Sequence, residues 1–134
     1  MTKRTLLSLF MAAGLVSSVM PALHAEDLDV KIDRMKIKED KEDIADDRTN
    51  ISKWQQIVQE RQAARDVAKG NYEGNLSKSG ANHKLTKEAK SRLDTAERSL
   101  QRAQKKLAKA QQSLQEDQAE LNQGYQEMEK DKRS

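Results

Sequence analysis

The chain has 134 residues, with 25 basic and 22 acidic side chains, no cysteine and four aromatic residues. That length holds at most one domain, and the missing cysteine excludes disulfide staples and a cysteine-linked lipid anchor. Four aromatics in a chain that is 35% charged exclude a broad globular core, leaving a long solvated helical protein or a disordered chain.

At the N-terminus, Lys3 and Arg4 precede an apolar run from Leu6 to Met20, and residues 21–25 have the character of a cleavage region. The fifteen residues of the run fall short of the roughly 20 that cross a bilayer. Residues 1–25 are therefore expected to be an export signal cut after Ala25. The mature protein would be periplasmic or secreted, with no transmembrane span. Leu23, three places before the cut, fits the small-residue rule less well than alanine, and an uncleaved anchor is the alternative. Without the leader, 23 basic and 22 acidic residues remain, a net of +1. Much of the basic character of the whole chain therefore lies in the leader.

Residues 27–69 contain neither proline nor glycine, and Val30, Ile37, Ile44, Ile51 and Val58 recur every seven places, with Trp54 three after Ile51. This spacing predicts a first long helix with those residues along its packing seam. Its matching intermediate positions include Asp33, Asp40 and Asp47, and like charges one turn apart at Asp29/Asp33, Glu39/Asp43, Glu42/Asp46 and Asp43/Asp47 each cost a few tenths of a kcal/mol. The acidic stretch needs a partner to stay helical. Residues 70–82 hold three glycines, three asparagines and two serines, a turn composition, and are expected to be the loop.

A second helix is predicted over about 83–130, capped by Asn82 or Thr86. Leu93, Leu100, Leu107, Leu114, Leu121 and Met128 stand seven apart, and Ala96, Ala103 and Ala110 sit three after the first three. Leu-x-x-Ala heptads let a partner helix approach closely on the alanine side. Glu88/Arg92 and Asp94/Arg98 are spaced and oriented as ion pairs along it. The fold class expected is all-α, an antiparallel two-helix coiled-coil hairpin. Folding at residue 77 pairs positions whose numbers sum to 154, setting Val58 against Ala96, Ile51 against Ala103, Ile44 against Ala110 and Trp54 against Leu100. A register one heptad away, with sums of 161, satisfies the same pattern.

Charge adds a second level of organisation. Residues 26–47 with 110–134 carry eight basic and 16 acidic side chains, a net of −8, whereas 48–109 carry 15 basic and six acidic, a net of +9. Two hairpins laid head to tail would oppose these charges. Leu28, Ile32 and Met35 give the start of the first helix a second apolar side. Together these features predict self-association as an antiparallel dimer forming a four-helix bundle.

No catalytic, cofactor or metal site is expected. His83 is the single histidine after the leader, and one imidazole without cysteine or a second histidine is not a zinc set. The acid run from Glu39 to Asp47 lacks the glycine and ligand spacing of a calcium loop and reads as a solvated face. No nucleophile-elbow or phosphate-loop motif occurs. The candidate interaction surface is basic: Lys84, Lys87, Lys90, Arg92, Arg98, Arg102, Lys105, Lys106 and Lys109. It suits an envelope protein or an anionic surface. Nucleic acid is disfavoured, because export separates the protein from it and no aromatics interleave for base stacking. The expected function is a non-enzymatic structural or protein-interaction module of the bacterial cell envelope. The alternative is a periplasmic holdase chaperone for unfolded clients.

Overall fold

The computed structural model describes residues 25–134, so the expected leader, through residue 24, lies outside the described residues. Helix α1 spans Ala25–Ser79 and helix α2 spans Lys84–Arg133, and the two pack against each other as an all-α hairpin. No described helix is long and apolar enough to cross a membrane. The chain divides into two compact units. A terminal unit combines residues up to Asp46 with Ser113–Ser134, and a turn unit comprises Asp47–Gln112.

The segment expected as loop is mostly helix. Residues 70–79 continue α1 through Gly70 and Gly74, and only Gly80 to His83 connect the helices. Glycine inside a helix costs about 1 kcal/mol relative to alanine. The seven-residue spacing offsets that cost, because it runs on past Val58 through Arg65 and Tyr72, with Arg61, Ala68 and Asn75 as the intermediate positions. Arg65, Tyr72, Ala68 and Asn75 are all half-buried, and the Asn75 side-chain amide donates to the Asn71 carbonyl at 2.8 Å. The helix stops at Gly80, whose φ of +79° lies in the left-handed region and whose N–H donates to the Leu76 carbonyl at 3.0 Å. Neither Asn82 nor Thr86 caps α2. His83 does, its carbonyl accepting from Lys87 N–H at 3.1 Å and its Nδ1 from Leu85 N–H at 3.2 Å. Thr86 lies instead in the seam, 1% exposed.

The short turn moves the pairing one heptad from the 154 register. Gly124 lies against Ile37 in the terminal unit, while Arg61 meets Ser99 and Trp54 meets Lys106 in the turn unit. These pairs sum to 160 or 161. Val58 therefore faces Ala103, Ile51 faces Ala110, and Trp54 faces Leu107 rather than Leu100. In the terminal unit Ile37 and Ile44 are buried, and Val30, Leu114, Leu121 and Met128 are half-buried. In the turn unit Ala89, Leu93, Leu100, Ala103 and Ala110 are buried, while Ile51, Trp54, Val58, Ala96 and Leu107 are half-buried. Leu28, Ile32 and Met35 are half-buried within the single chain.

Gly124 sits where a large residue opposes it. A Cβ there would stand 3.3 Å from Ile37 Cγ1, whereas one at Gly70 or Gly74 would meet nothing within 4 Å. Gly70→Ala and Gly74→Ala should each raise stability by about 1 kcal/mol. Gly80→Ala should lower it by about 1 kcal/mol, and Gly124→Val should lower it by about 1–3 kcal/mol through crowding. Urea denaturation followed by circular dichroism measures all four. Stabilisation by Gly80→Ala, or loss with Gly70→Ala, would place the turn elsewhere.

Candidate interaction surface

Seam positions that coiled coils normally give to apolar side chains carry charge in both units, acidic throughout the terminal unit and mainly basic in the turn unit. In the terminal unit they are Asp33 and Asp40 on α1, and Asp117 and Asp131 on α2, with Gly124 between the latter two. Asp33 and Asp117 are buried. Asp33 is pushed up to about 6, first by burial, then by the hydrogen bond and like charge of Asp131, with Glu127 adding to the rise and Lys36 opposing it. Among the described residues no donor reaches the buried Asp33 Oδ2. The two carboxyls share a hydrogen bond only when one of them keeps a proton. Asp29 and Lys130 complete the surroundings of this pair.

In the turn unit the seam carries Arg61 and Arg65, with Asp47 at the unit's first residue. Arg65 bonds its sequence neighbour Asp66 at 2.9 Å. Arg61 reaches across to donate to the Ser99 hydroxyl of α2. One heptad away from Arg61, Lys106 and Lys53 both stand 5.7 Å from the Trp54 ring centroid. Each such contact contributes about 0.5–1 kcal/mol at an exposed site. In the terminal unit Lys41 lies similarly over Tyr125, at 5.6 Å.

All nine basic residues singled out in the sequence lie on α2 in the turn unit, and all are exposed. The helix does not gather them on one face. Arg92 and Lys106 flank the seam on one side and Lys90 on the other, while Lys84, Lys87, Arg98, Arg102, Lys105 and Lys109 occupy the outer surface. The expected ion pairs are absent. Arg98 Nε donates to the Asp94 backbone carbonyl at 3.3 Å, and Arg92 makes no ion pair with Glu88. Arg61 and Arg65 escaped the sequence reading, although Arg61 is seven places after Trp54 and Arg65 seven after Val58. The heptad count alone would have put both beside this surface.

By composition the turn unit has 15 basic and seven acidic residues, a net of +8. The described terminal unit has eight basic and 15 acidic, a net of −7. Among the described residues no group of three or more histidine, cysteine or carboxylate side chains is arranged to hold a metal ion. Compared with protein-family models, curated proteins and solved structures, the chain matches none.

The Asp33–Asp131 pair makes a pH-dependent contribution with a definite sign. The folded state holds a proton that the unfolded chain, with Asp33 near its ordinary 3.8, releases. That contribution is complete below about pH 3.8 and lost as pH rises through about 6. It is worth at most about 3 kcal/mol. Thermal melts between pH 4 and 7 should show the midpoint falling across this window. Asp33→Asn should flatten the fall and raise the midpoint at pH 7 by several degrees. An Asp33→Asn profile parallel to wild type would remove the pair from the account.

Proposed function

We propose that the protein is a non-enzymatic coiled-coil interaction module of the bacterial cell envelope, delivered by its N-terminal leader, and that two copies pair head to tail. The observation that carries this reading is the division of charge. One helix pair holds a net of −7 and the other +8. In water such charges at contact distance contribute modestly to affinity but strongly to orientation, because like-charge juxtaposition is penalised. Head-to-tail pairing sets acidic units against basic ones, whereas head-to-head pairing opposes like with like. Half-buried Leu28, Ile32 and Met35 supply an apolar component on the terminal unit.

A holdase reading has its own support. Val67, Leu76 and Leu85 are exposed apolar side chains on the turn unit, where they would meet unfolded client chains beside a basic surface.

Sedimentation equilibrium at tens of micromolar tests the pairing. The expected result is a dimer at low ionic strength that dissociates toward monomer near 0.5 M salt, where the screening length is a few ångströms. Reversing Lys84, Lys87, Lys90 and Arg92 to Glu should abolish the dimer at all salt concentrations. A monomer insensitive to salt sinks the head-to-tail model. Suppression of client aggregation at near-stoichiometric ratio would favour the holdase.

A further inference from the structure

One side of the turn unit opens into a groove of about 380 Å³ between the helices. Coiled coils usually close this flank with long charged side chains from both helices. Here the flanking residues that line the groove are Ala64 on α1 and Ser99 on α2, both short side chains. Ala96 is the seam residue beneath them. Arg61, Arg92 and the hydroxyl-bearing Ser91, Thr95 and Ser99 line this gap. No carboxylate lines it. Neither arginine has an ion-pair partner among the described residues; Arg61 bonds only the Ser99 hydroxyl. Thr95 is turned away from ligand duty, its hydroxyl donating to the Ser91 carbonyl at 3.0 Å.

We propose that this groove binds a phosphate group, held by Arg61 and Arg92 with the Ser99 hydroxyl as an additional donor. Three features favour a phosphate over a diffuse anion. The two arginines come from different helices and line one groove, from which their long side chains can reach a common oxyanion. The Ser99 hydroxyl supplies a neutral donor, which suits a tetrahedral anion with several oxygens. The net charge of +8 raises the local concentration of such anions. A structural role for Arg61 alone, its stem covering the seam and its head bonded to Ser99, accounts for one arginine but not for Arg92 or for the gap. The inference holds for either a phospholipid headgroup or free phosphate, and it stands whether or not two copies pair.

The test follows amide chemical shifts of the purified protein at constant ionic strength. Inorganic phosphate is titrated against a chloride control in one arm, and dihexanoyl phosphatidylglycerol against the corresponding phosphatidylcholine in the other. Saturable shifts centred on Ser91, Thr95 and Ser99 are expected in at least one arm, and the responding arm names the source. Arg61→Gln with Arg92→Gln should weaken the response at least tenfold, and the double lysine variant, which keeps the charge, several-fold. Lys105→Gln with Lys109→Gln, an equal loss of charge on the outer surface, should leave it within twofold. Circular dichroism melts confirm that each variant is folded. Absence of saturable shifts in both arms overturns the proposal. So does their survival in the Arg61/Arg92 glutamine variant, or an equal loss in the Lys105/Lys109 variant. If the glutamine pair unfolds, the lysine pair decides: an undiminished response overturns the proposal.

Discussion

Opposition of large and small side chains along one seam is the constraint on which the rest of the molecule depends. Leucine or isoleucine on one helix faces alanine or glycine on the other, so the backbones can approach without voids. Ile51 against Ala110, Val58 against Ala103 and Ile37 against Gly124 repeat the same solution. The pattern constrains spacing more tightly than register, because a slip of one heptad preserves most of these matches. The end of α1 makes the choice. Carrying the helix on to Ser79 places Arg65, Tyr72 and Asn75 opposite Ala96, Ala89 and Thr86. In a long loop those α2 positions would lose their covering, and Thr86 and Ala89, both almost fully buried, would be exposed.

The same constraint explains where sequence reading succeeded and where it stopped. Heptads of Leu93 to Met128 and Val30 to Val58 made the two helices and their antiparallel pairing legible, since burial of apolar residues at fixed spacing is a strong local signal. The turn was misplaced because glycine, asparagine and serine between residues 70 and 82 resemble a loop when judged by local propensity. Propensity differences of about 1 kcal/mol per glycine yield to packing that extends over two more heptads. Only one of those three glycines has the positive φ that a turn demands, and composition cannot distinguish it from the other two. The nine basic residues were visible as a cluster. Their division between seam flank and outer surface depends on helical phase, and the part played by Arg61 depends on α2.

Charged residues inside a seam reduce stability, since each must be desolvated or partly neutralised. The protein accepts that cost in both units: carboxylates beside Ile37 and Ile44, guanidiniums beside Val58 and Leu100. The acidic case shows the consequence directly. Below about pH 6 Asp33 keeps a proton against Asp131 across the seam, so this part of the molecule is held most firmly when the solution supplies one. The basic case resolves differently, because guanidinium does not lose its proton near neutral pH. Arg65 takes a neighbouring carboxylate, and Arg61 takes a hydroxyl and keeps its charge.

That difference links the architecture to recognition. A carboxylate in the seam can take up a proton below about pH 6, so the Asp33–Asp131 pair can relieve its own repulsion, though not the unit's net of −7. The basic unit has no such route; its unbalanced charge must be answered by solvent counterions or by a bound anion. Small side chains at Ala64, Ala96 and Ser99, the same feature that lets the helices close, leave a groove that Arg61 and Arg92 line. The two anions proposed for the turn unit are phosphate in the groove and the acidic unit of a second copy over its surface. These two anions differ in what they need from the protein. Phosphate needs paired guanidiniums in fixed geometry, and a second copy needs only net charge over a broad area. Replacement of arginine by lysine at positions 61 and 92 separates the two demands, because it preserves the field and removes the fork.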